Sequence, residues 1–425
     1  MPWASPHPKS NYRWTRLLMT PNRKHSLRGL ALALALGAFA GLTPINANAD
    51  PGFQKWIAGF YDTAAKSGIT QSTYRKAFAG VTDPDPTVLE KAQYQPEFKS
   101  QIWDYLDSRV NPYTVDVGRK MAAKYGSTLR SLEQHFGVDR NIILAIWSME
   151  SNYGAVLAKD EKLHYVPRAL ATLAYADPKR SGYAKKQLIA ALKILQSGDV
   201  PRDELNGSWA GAMGHTQFIP TSYLLYAVDA DGNGHADIWN SIPDALATTA
   251  NLLAKNGWST GRTWGYEVTV PPGGAAQAGK THTIAQWAAM GFVRPNGKGF
   301  RLTSDRAQLK MPGGADGPGF LMAGNFFTIK RYNASDSYAL AVGLLADQIG
   351  GYGGMQQSWP RPSGTLDVKQ KFELQTRLKE LGYYDGVVDG NFGSGSKAAI
   401  AAVQQRFGMS ADGEPSMNLL NALRK

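Results

Sequence analysis

Residues 141–154 read NIILAIWSMESNYG, an apolar run that ends on a carboxylate. Ile143, Ile146 and Glu150 fall at i, i+3 and i+7, one face of an α-helix. The spacing predicts a buried helical stripe with Asp139 as N-cap, Glu150 in the last turn and Gly154 as the stop. A glutamate is rarely enclosed unless it is paired or chemically employed. Two readings follow: an ion pair with an arginine such as Arg168, or a working acid at the edge of a cleft.

Helical patterning continues on both sides. QKWIAGFYDTAAKSG and QSTYRKAFAG are short amphipathic segments, and TVDVGRKMAAKYGSTLRSLEQHFG reads as two helices, each closed by a glycine. Further helices are predicted over 181–197, 243–256 and 336–349, the second with Pro243 near its start. Residues 264–320 differ, because WGYEVTV alternates like a strand and PPGG, NGKG and MPGGADGPG punctuate turns. GGYGGMQQSWPRPSGT, 350–365, has the composition of a linker. Residues 366–425 predict a three-helix bundle with two half-copies, each opening on an Asp-Gly turn at Asp389 or Asp412. The expected fold is mainly α, an α+β body over 50–349 with a small β insertion, followed by the linker and the bundle.

Composition narrows the function. The chain of 425 residues carries a formal charge of +12, but Lys9, Arg13, Arg16, Arg23, Lys24 and Arg28 precede residue 50 with no acid among them, so without that segment +6 remains. That surplus suits an anionic polymer. No block of like charge and no basic-aromatic register marks a nucleic-acid face, so nucleic acid is not an expected partner. The absence of cysteine excludes disulfides, thiol catalysis, cysteine metal sites and a lipoprotein anchor. No HExxH or paired-histidine spacing is present, which argues against zinc; His164 and His215 stand alone. RKHSLR, then GLALALALGAFAGL, then Ala47-Asn48-Ala49 predict a signal peptide over 1–49, cleaved to leave Asp50, with export to the periplasm. Met19 is an alternative start, and an uncleaved membrane anchor is the competing reading of the apolar run.

The chemistry concentrates in MESNYG (149–154) and GAMGHTQFIPTSY (211–223). A glycine-rich loop presenting Gln217 and Phe218 opposite a carboxylic acid would offer an amide for sugar hydroxyls and a ring for sugar faces. These motifs, with YAVDADGNGHADIWNSIPDALATTANLLAKNGW and NFFTIKRYNASDSYALAVGLLAD, resemble the membrane-bound lytic transglycosylase B family, and LQTRLKELGYYDGVVDGNFG resembles the peptidoglycan-binding domain. The resemblance implies a lysozyme-like catalytic domain in which Glu150 is the catalytic acid. It also implies substrate-side roles for Ser151, Gln217, Tyr338 and Asn325. Such enzymes cleave the β-1,4 bond between N-acetylmuramic acid and N-acetylglucosamine and leave a 1,6-anhydro end. Peptidoglycan glycan strands are then the substrate, a monomer is expected, no cofactor is required for the chemistry, and proteins of cell-wall synthesis or division are candidate partners. A muramidase using Asp160 or Glu161 as a second carboxylate is the nearest rival, and a non-catalytic wall-binding protein the other.

DADGNGHADIWN, 229–240, follows the register of a calcium loop. Asp229, Asp231, Asn233 and Asp237 occupy positions 1, 3, 5 and 9, with Gly234 at 6 and the His235 carbonyl at 7. Position 12 is Asn240 instead of glutamate, so Asp244 is the expected closing ligand. An Asp-Gly turn that needs no metal is the alternative, and the resemblance favours structural Ca²⁺.

Overall fold

The helix carrying Glu150 runs Arg140–Ser151 and starts where the Asp139 carboxylate accepts the Asn141 backbone N–H at 2.7 Å. This computed structural model describes residues 50–93, 101–158 and 163–425, so the expected leader, Asp160 and Glu161 lie outside the described residues. The helix is buried continuously from Ile142 to Met149, more than the single stripe its spacing implied. A helix apolar on all sides belongs at the centre of a domain. Helices Pro112–Lys124, Gly126–Phe136, Ile242–Lys255 and Asp336–Ile349 pack around it. A second group, Pro51–Lys66, Gln71–Phe78, Val166–Ala176 and Ser181–Ser197, completes the helical body.

Two helix ends differ from the expected glycine stops. Tyr125, not a glycine, separates Pro112–Lys124 from the next helix, which Gly126 begins; Gly137 (φ 68°) closes that one as expected. The helix of Glu150 ends in three consecutive left-handed residues, Asn152 (φ 50°), Tyr153 (φ 56°) and Gly154 (φ 90°). Side chains disfavour that region, so the turn is held from outside. The Tyr153 hydroxyl donates to the Thr114 carbonyl at 3.1 Å, and the Gly154 N–H donates to Ser151 Oγ at 2.9 Å. Glycine is required at 154, because a Cβ there would meet the His215 ring at 2.5 Å.

The β insertion is a four-stranded antiparallel sheet in the order Gly265–Val268, Gly319–Met322, Arg306–Lys310, Thr281–Thr283. Its inner face closes on Trp287, Phe292 and Leu309, and the sheet meets the helical body through Trp264. Among the described residues no helix is long and apolar enough to cross a membrane.

The C-terminal bundle has helices Val368–Glu380, Ser394–Arg406 and Met417–Leu423 around Leu374, Leu378, Ile400, Val403 and Leu420. Its half-copies share a device the sequence pattern did not reveal. Gln375 accepts the N–H groups of Asp389 and Gly390 and donates to the Asn391 carbonyl. Gln404 does the same for the second turn, accepting from Gly413 and donating to Asp412 and the Glu414 carbonyl. Residues 350–365 do not behave as their composition suggested. Gln356 and Gln357 donate backbone N–H groups to the Glu267 carboxylate at 2.9 and 2.8 Å, and Trp359 stacks on Phe320 with centroids 6.1 Å apart. Arg361 forks onto Asp107 at 2.9 and 2.7 Å. Side-chain contacts fasten a segment whose glycines and prolines alone would leave it loose.

Candidate active site

Glu150 and Tyr338 meet across 188 residues of sequence: the Tyr338 hydroxyl donates to Glu150 Oε1 at 2.5 Å. Ser335 places the tyrosine, because its side chain caps the helix Asp336–Ile349 by accepting the Tyr338 N–H. Glu150 keeps part of its surface open while protein atoms crowd the carboxyl closely. Burial raises its pKa from 4.5 to about 7; the Tyr338 hydrogen bond and the Arg109 charge oppose that rise but do not cancel it. The outcome is a carboxyl that can hold or release its proton near neutral pH, the property a proton-transferring group needs. The ion pair with Arg168 does not form. That guanidinium donates to the carbonyls of Asp83 and Pro84 at 3.0 and 3.1 Å.

The loop 211–218 is drawn against the end of this helix. Ser151 Oγ donates to the His215 carbonyl at 2.6 Å, and Trp147 Nε1 donates to His215 Nδ1 at 3.3 Å. Burial lowers the His215 pKa, against the opposing charge of Asp237. The loop's own pairing is between Met213 and Phe218, which exchange backbone hydrogen bonds of 2.9 and 3.0 Å. Gln217 lies at the tip in the left-handed region (φ 52°), with Nε2 donating to the Gly214 carbonyl at 2.9 Å.

Three expected substrate contacts take other positions. Phe218 is buried, edge-on to Tyr332, and offers no face to a sugar. Ser151 is enclosed and spends its hydroxyl on His215 and Gly154. Asn325 is 1% exposed and its amide is consumed, accepting from Ser259 N–H and donating to the Ser259 and Arg262 carbonyls. These residues brace their own segments of the fold. Sequence reasoning also missed three neighbours of the acid: Tyr332, Tyr105 and Arg109. The Tyr332 hydroxyl donates to the Thr216 carbonyl at 2.5 Å, beside Gln217, and Tyr332 and Tyr105 both feel the Glu150 charge. Tyr332 lies only six residues before Tyr338 and was within reach of the motif; Tyr105 and Arg109 are assembled by tertiary packing alone.

In the loop 229–240 the structure gathers Asp229, Asp231 and Asp244, with one carboxylate oxygen from each inside 4.8 Å of the others. Asp244 is fully buried, and burial raises its pKa to about 6, with the Asp231 charge adding to the rise. A set of clustered oxygen donors fits a hard cation. Asp237 does not join this carboxylate cluster. Asp237 caps the Trp239 and Asn240 N–H groups, Asn233 Oδ1 accepts from His235 N–H, and the His235 ring faces Asp199 at 4.0 Å. The segment 229–240 also braces the loop 211–218, since the His215 N–H donates to the Ile238 carbonyl at 2.9 Å.

With this geometry in place, comparisons with known proteins locate the chain. A family model described as transglycosylase SLT domain matches residues 52–347, and a peptidoglycan binding domain model matches 372–423. Membrane-bound lytic murein transglycosylase B of Escherichia coli is 34% identical over 251 residues, 58% of this chain and 66% of that protein. The crystal structure of SltB3 from Pseudomonas aeruginosa in complex with NAG-anhNAM-pentapeptide is 44% identical with a TM-score of 0.70, covering 88% of this chain and 100% of that one. The Escherichia coli lytic transglycosylase Slt35 in complex with calcium is 28% identical with a TM-score of 0.59, covering 72% of this chain and 94% of that one. The chain belongs to the transglycosylase SLT domain family, with a peptidoglycan binding domain following its catalytic body.

Proposed function

We propose that this protein is a periplasmic lytic transglycosylase that cleaves the β-1,4 bond between N-acetylmuramic acid and N-acetylglucosamine in peptidoglycan. One observation carries the reading: Glu150, with a pKa raised to about 7, is gripped by Tyr338 at 2.5 Å at the end of the helix against which the loop 211–218 is held. Protonated Glu150 gives its proton to the glycosidic oxygen as the bond to C1 breaks. The substrate's own 2-acetamido group can stabilise the cation, so the second carboxylate of an ordinary glycosidase is not demanded. Glu150, now a carboxylate, takes the proton of the C6 hydroxyl, whose oxygen closes on C1. Glu150 ends protonated, no water is consumed, and the muramyl product is a 1,6-anhydro sugar.

Gln217, at the loop tip, is assigned to the sugar on the strength of the resemblance, and Tyr338 holds the carboxyl. Structural Ca²⁺ would be held by Asp229, Asp231 and Asp244 and would neutralise their mutual repulsion. Export is inferred from the sequence of the expected leader over 1–49 and from the wall-degrading relatives.

The test is mass spectrometry of purified peptidoglycan digested by residues 50–425 and by Glu150→Gln. Anhydro-muramyl products from the native chain alone are expected. Reducing-end products would make it a muramidase and direct attention to Asp160 and Glu161. An undiminished Glu150→Gln would remove Glu150 from the chemistry.

A further inference from the structure

Asp107 is a buried carboxylate with no part in the cleft chemistry. It lies on the helix Ile102–Arg109, and its side chain is 7% exposed. Both of its counter-ions come from beyond the catalytic body. Arg361 of the 350–365 segment donates to both oxygens, at 2.9 and 2.7 Å, and Lys371 of the first bundle helix donates at 2.7 Å. Those two cations are themselves mostly enclosed, with side chains 14% and 18% exposed. Lys371 also stands 3.6 Å from Asp104, and Arg361 Nη1 reaches the Leu366 carbonyl at 3.5 Å. A buried carboxylate is tolerated when paired and strongly destabilising when stripped of its partners, so the bundle and the linker are needed where they are.

The same helix reaches the active site. Tyr105 lies two residues before Asp107 and Arg109 two residues after it; Tyr105 feels the Glu150 charge, and Arg109 pulls the Glu150 pKa down. The helix also packs on Asp336–Ile349, which carries Tyr338. One eight-residue element thus has the wall-binding bundle fastened to it and the catalytic acid within its electrostatic reach.

We propose that Asp107, Arg361 and Lys371 form a clasp, and that the closed clasp fixes the helix Ile102–Arg109 so that the bundle sets the catalytic competence of Glu150 in addition to binding wall. This rests on the reading of Glu150 as the acid. The neighbouring anchors act in the same sense: Gln356 and Gln357 on Glu267, and Trp359 on Phe320, where Gly313 leaves the ring room that a Cβ, 2.9 Å from it, would fill. A tether raises local concentration on an insoluble polymer and does nothing for a small soluble substrate. A clasp acts on both, and that separates the two accounts.

The experiment uses the full chain from Asp50 with Arg361→Gln and Lys371→Gln together, which leaves every residue of the catalytic body unchanged. Hydrogen exchange over 350–371 reads the clasp, and turnover of a soluble glycan tetrasaccharide reads the coupling. Expected are faster exchange in that segment and a kcat about tenfold lower with KM little changed, inside the ~10²-fold that a 1 Å misplacement produces. The alkaline limb of the pH profile should move as well, because Arg109 acts on Glu150. Arg361→Lys, which keeps the charge and loses the fork, should fall between the two. Unchanged exchange would overturn the clasp; faster exchange with native tetrasaccharide turnover would overturn the coupling and leave a tether. Exchange reads the clasp without any chemistry, so a failed assignment of Glu150 would be told apart from a failed clasp.

Discussion

Replacing Tyr338 by phenylalanine removes one hydroxyl from the wall facing Glu150 and leaves the ring in place. In the native site burial pushes the Glu150 pKa up and the Tyr338 hydrogen bond, 2.5 Å long, pulls it down. A donor favours the carboxylate form, so its loss must raise the pKa. A hydrogen bond to a charged group contributes about 1.5–3 kcal/mol, and one pKa unit corresponds to about 1.4 kcal/mol. The rise is therefore about 1–2 units, which carries Glu150 to roughly 8–9. The assay is kcat/KM on a soluble glycan from about pH 5 to pH 10, where the native alkaline limb reports loss of the proton the leaving oxygen needs. In Tyr338→Phe that limb moves up by the same 1–2 units. Below the limb the rate falls by about 10²-fold, because a weaker and less firmly aimed acid transfers its proton less readily. A limb that stays or moves down would refute the claim that Tyr338 acts on the carboxylate.

Glu150 has a folded pKa above its unfolded 4.5, so its proton stabilises the fold fully below that value, and the benefit is lost as pH rises through about 7. Glu150→Gln escapes this loss and should be more stable than the native chain near pH 8, by at most about 3 kcal/mol and seen as a higher melting temperature, and alike near pH 4. Equal melting at both would disprove burial as the cause. Asp244 is the buried member of the carboxylate cluster and accepts three backbone N–H groups from the loop. Millimolar Ca²⁺ should stabilise the native chain, by about 2–3 kcal/mol at 100 times Kd and seen as a higher melting temperature, and should not stabilise Asp244→Asn. Asn325→Ala should cost about 2–3 kcal/mol of stability, through backbone groups left unpaired at Ser259 and Arg262, while KM for a soluble glycan stays native; a raised KM with native stability would restore it to the substrate. Gly154→Ala should cost about 1–3 kcal/mol and depress activity, since both its φ of 90° and the His215 ring oppose a Cβ.

What the sequence made legible was local. The i, i+3, i+7 spacing located the helix of Glu150, and turn chemistry located the sheet between Gly265 and Met322 and the three helices of the bundle. Those signals depend on neighbours within a turn or two, which a single sequence carries in full. Residue types carried less than residue positions did. Phe218, Ser151 and Asn325 all have side chains that suit a sugar, yet each is buried: Phe218 by the Met213–Phe218 pairing and Tyr332, Ser151 by His215 and Gly154, Asn325 by Ser259 and Arg262. Composition misled most in 350–365, where Gly and Pro suggested freedom and Arg361, Trp359 and Gln357 supply restraint.

The acid itself shows why both kinds of information are needed. Helical periodicity alone can place a carboxylate on a buried stripe, and there an ion pair and a catalytic group look alike. They part only in three dimensions, where Arg168 is occupied by the carbonyls of Asp83 and Pro84 and the partner that arrives is an uncharged tyrosine from 188 residues away. A guanidinium in contact would have held Glu150 as a permanent anion. A phenol grips the same carboxyl, moderates the effect of burial and leaves the proton exchangeable near neutrality, which is what the proposed role of Glu150, first acid and then base, requires.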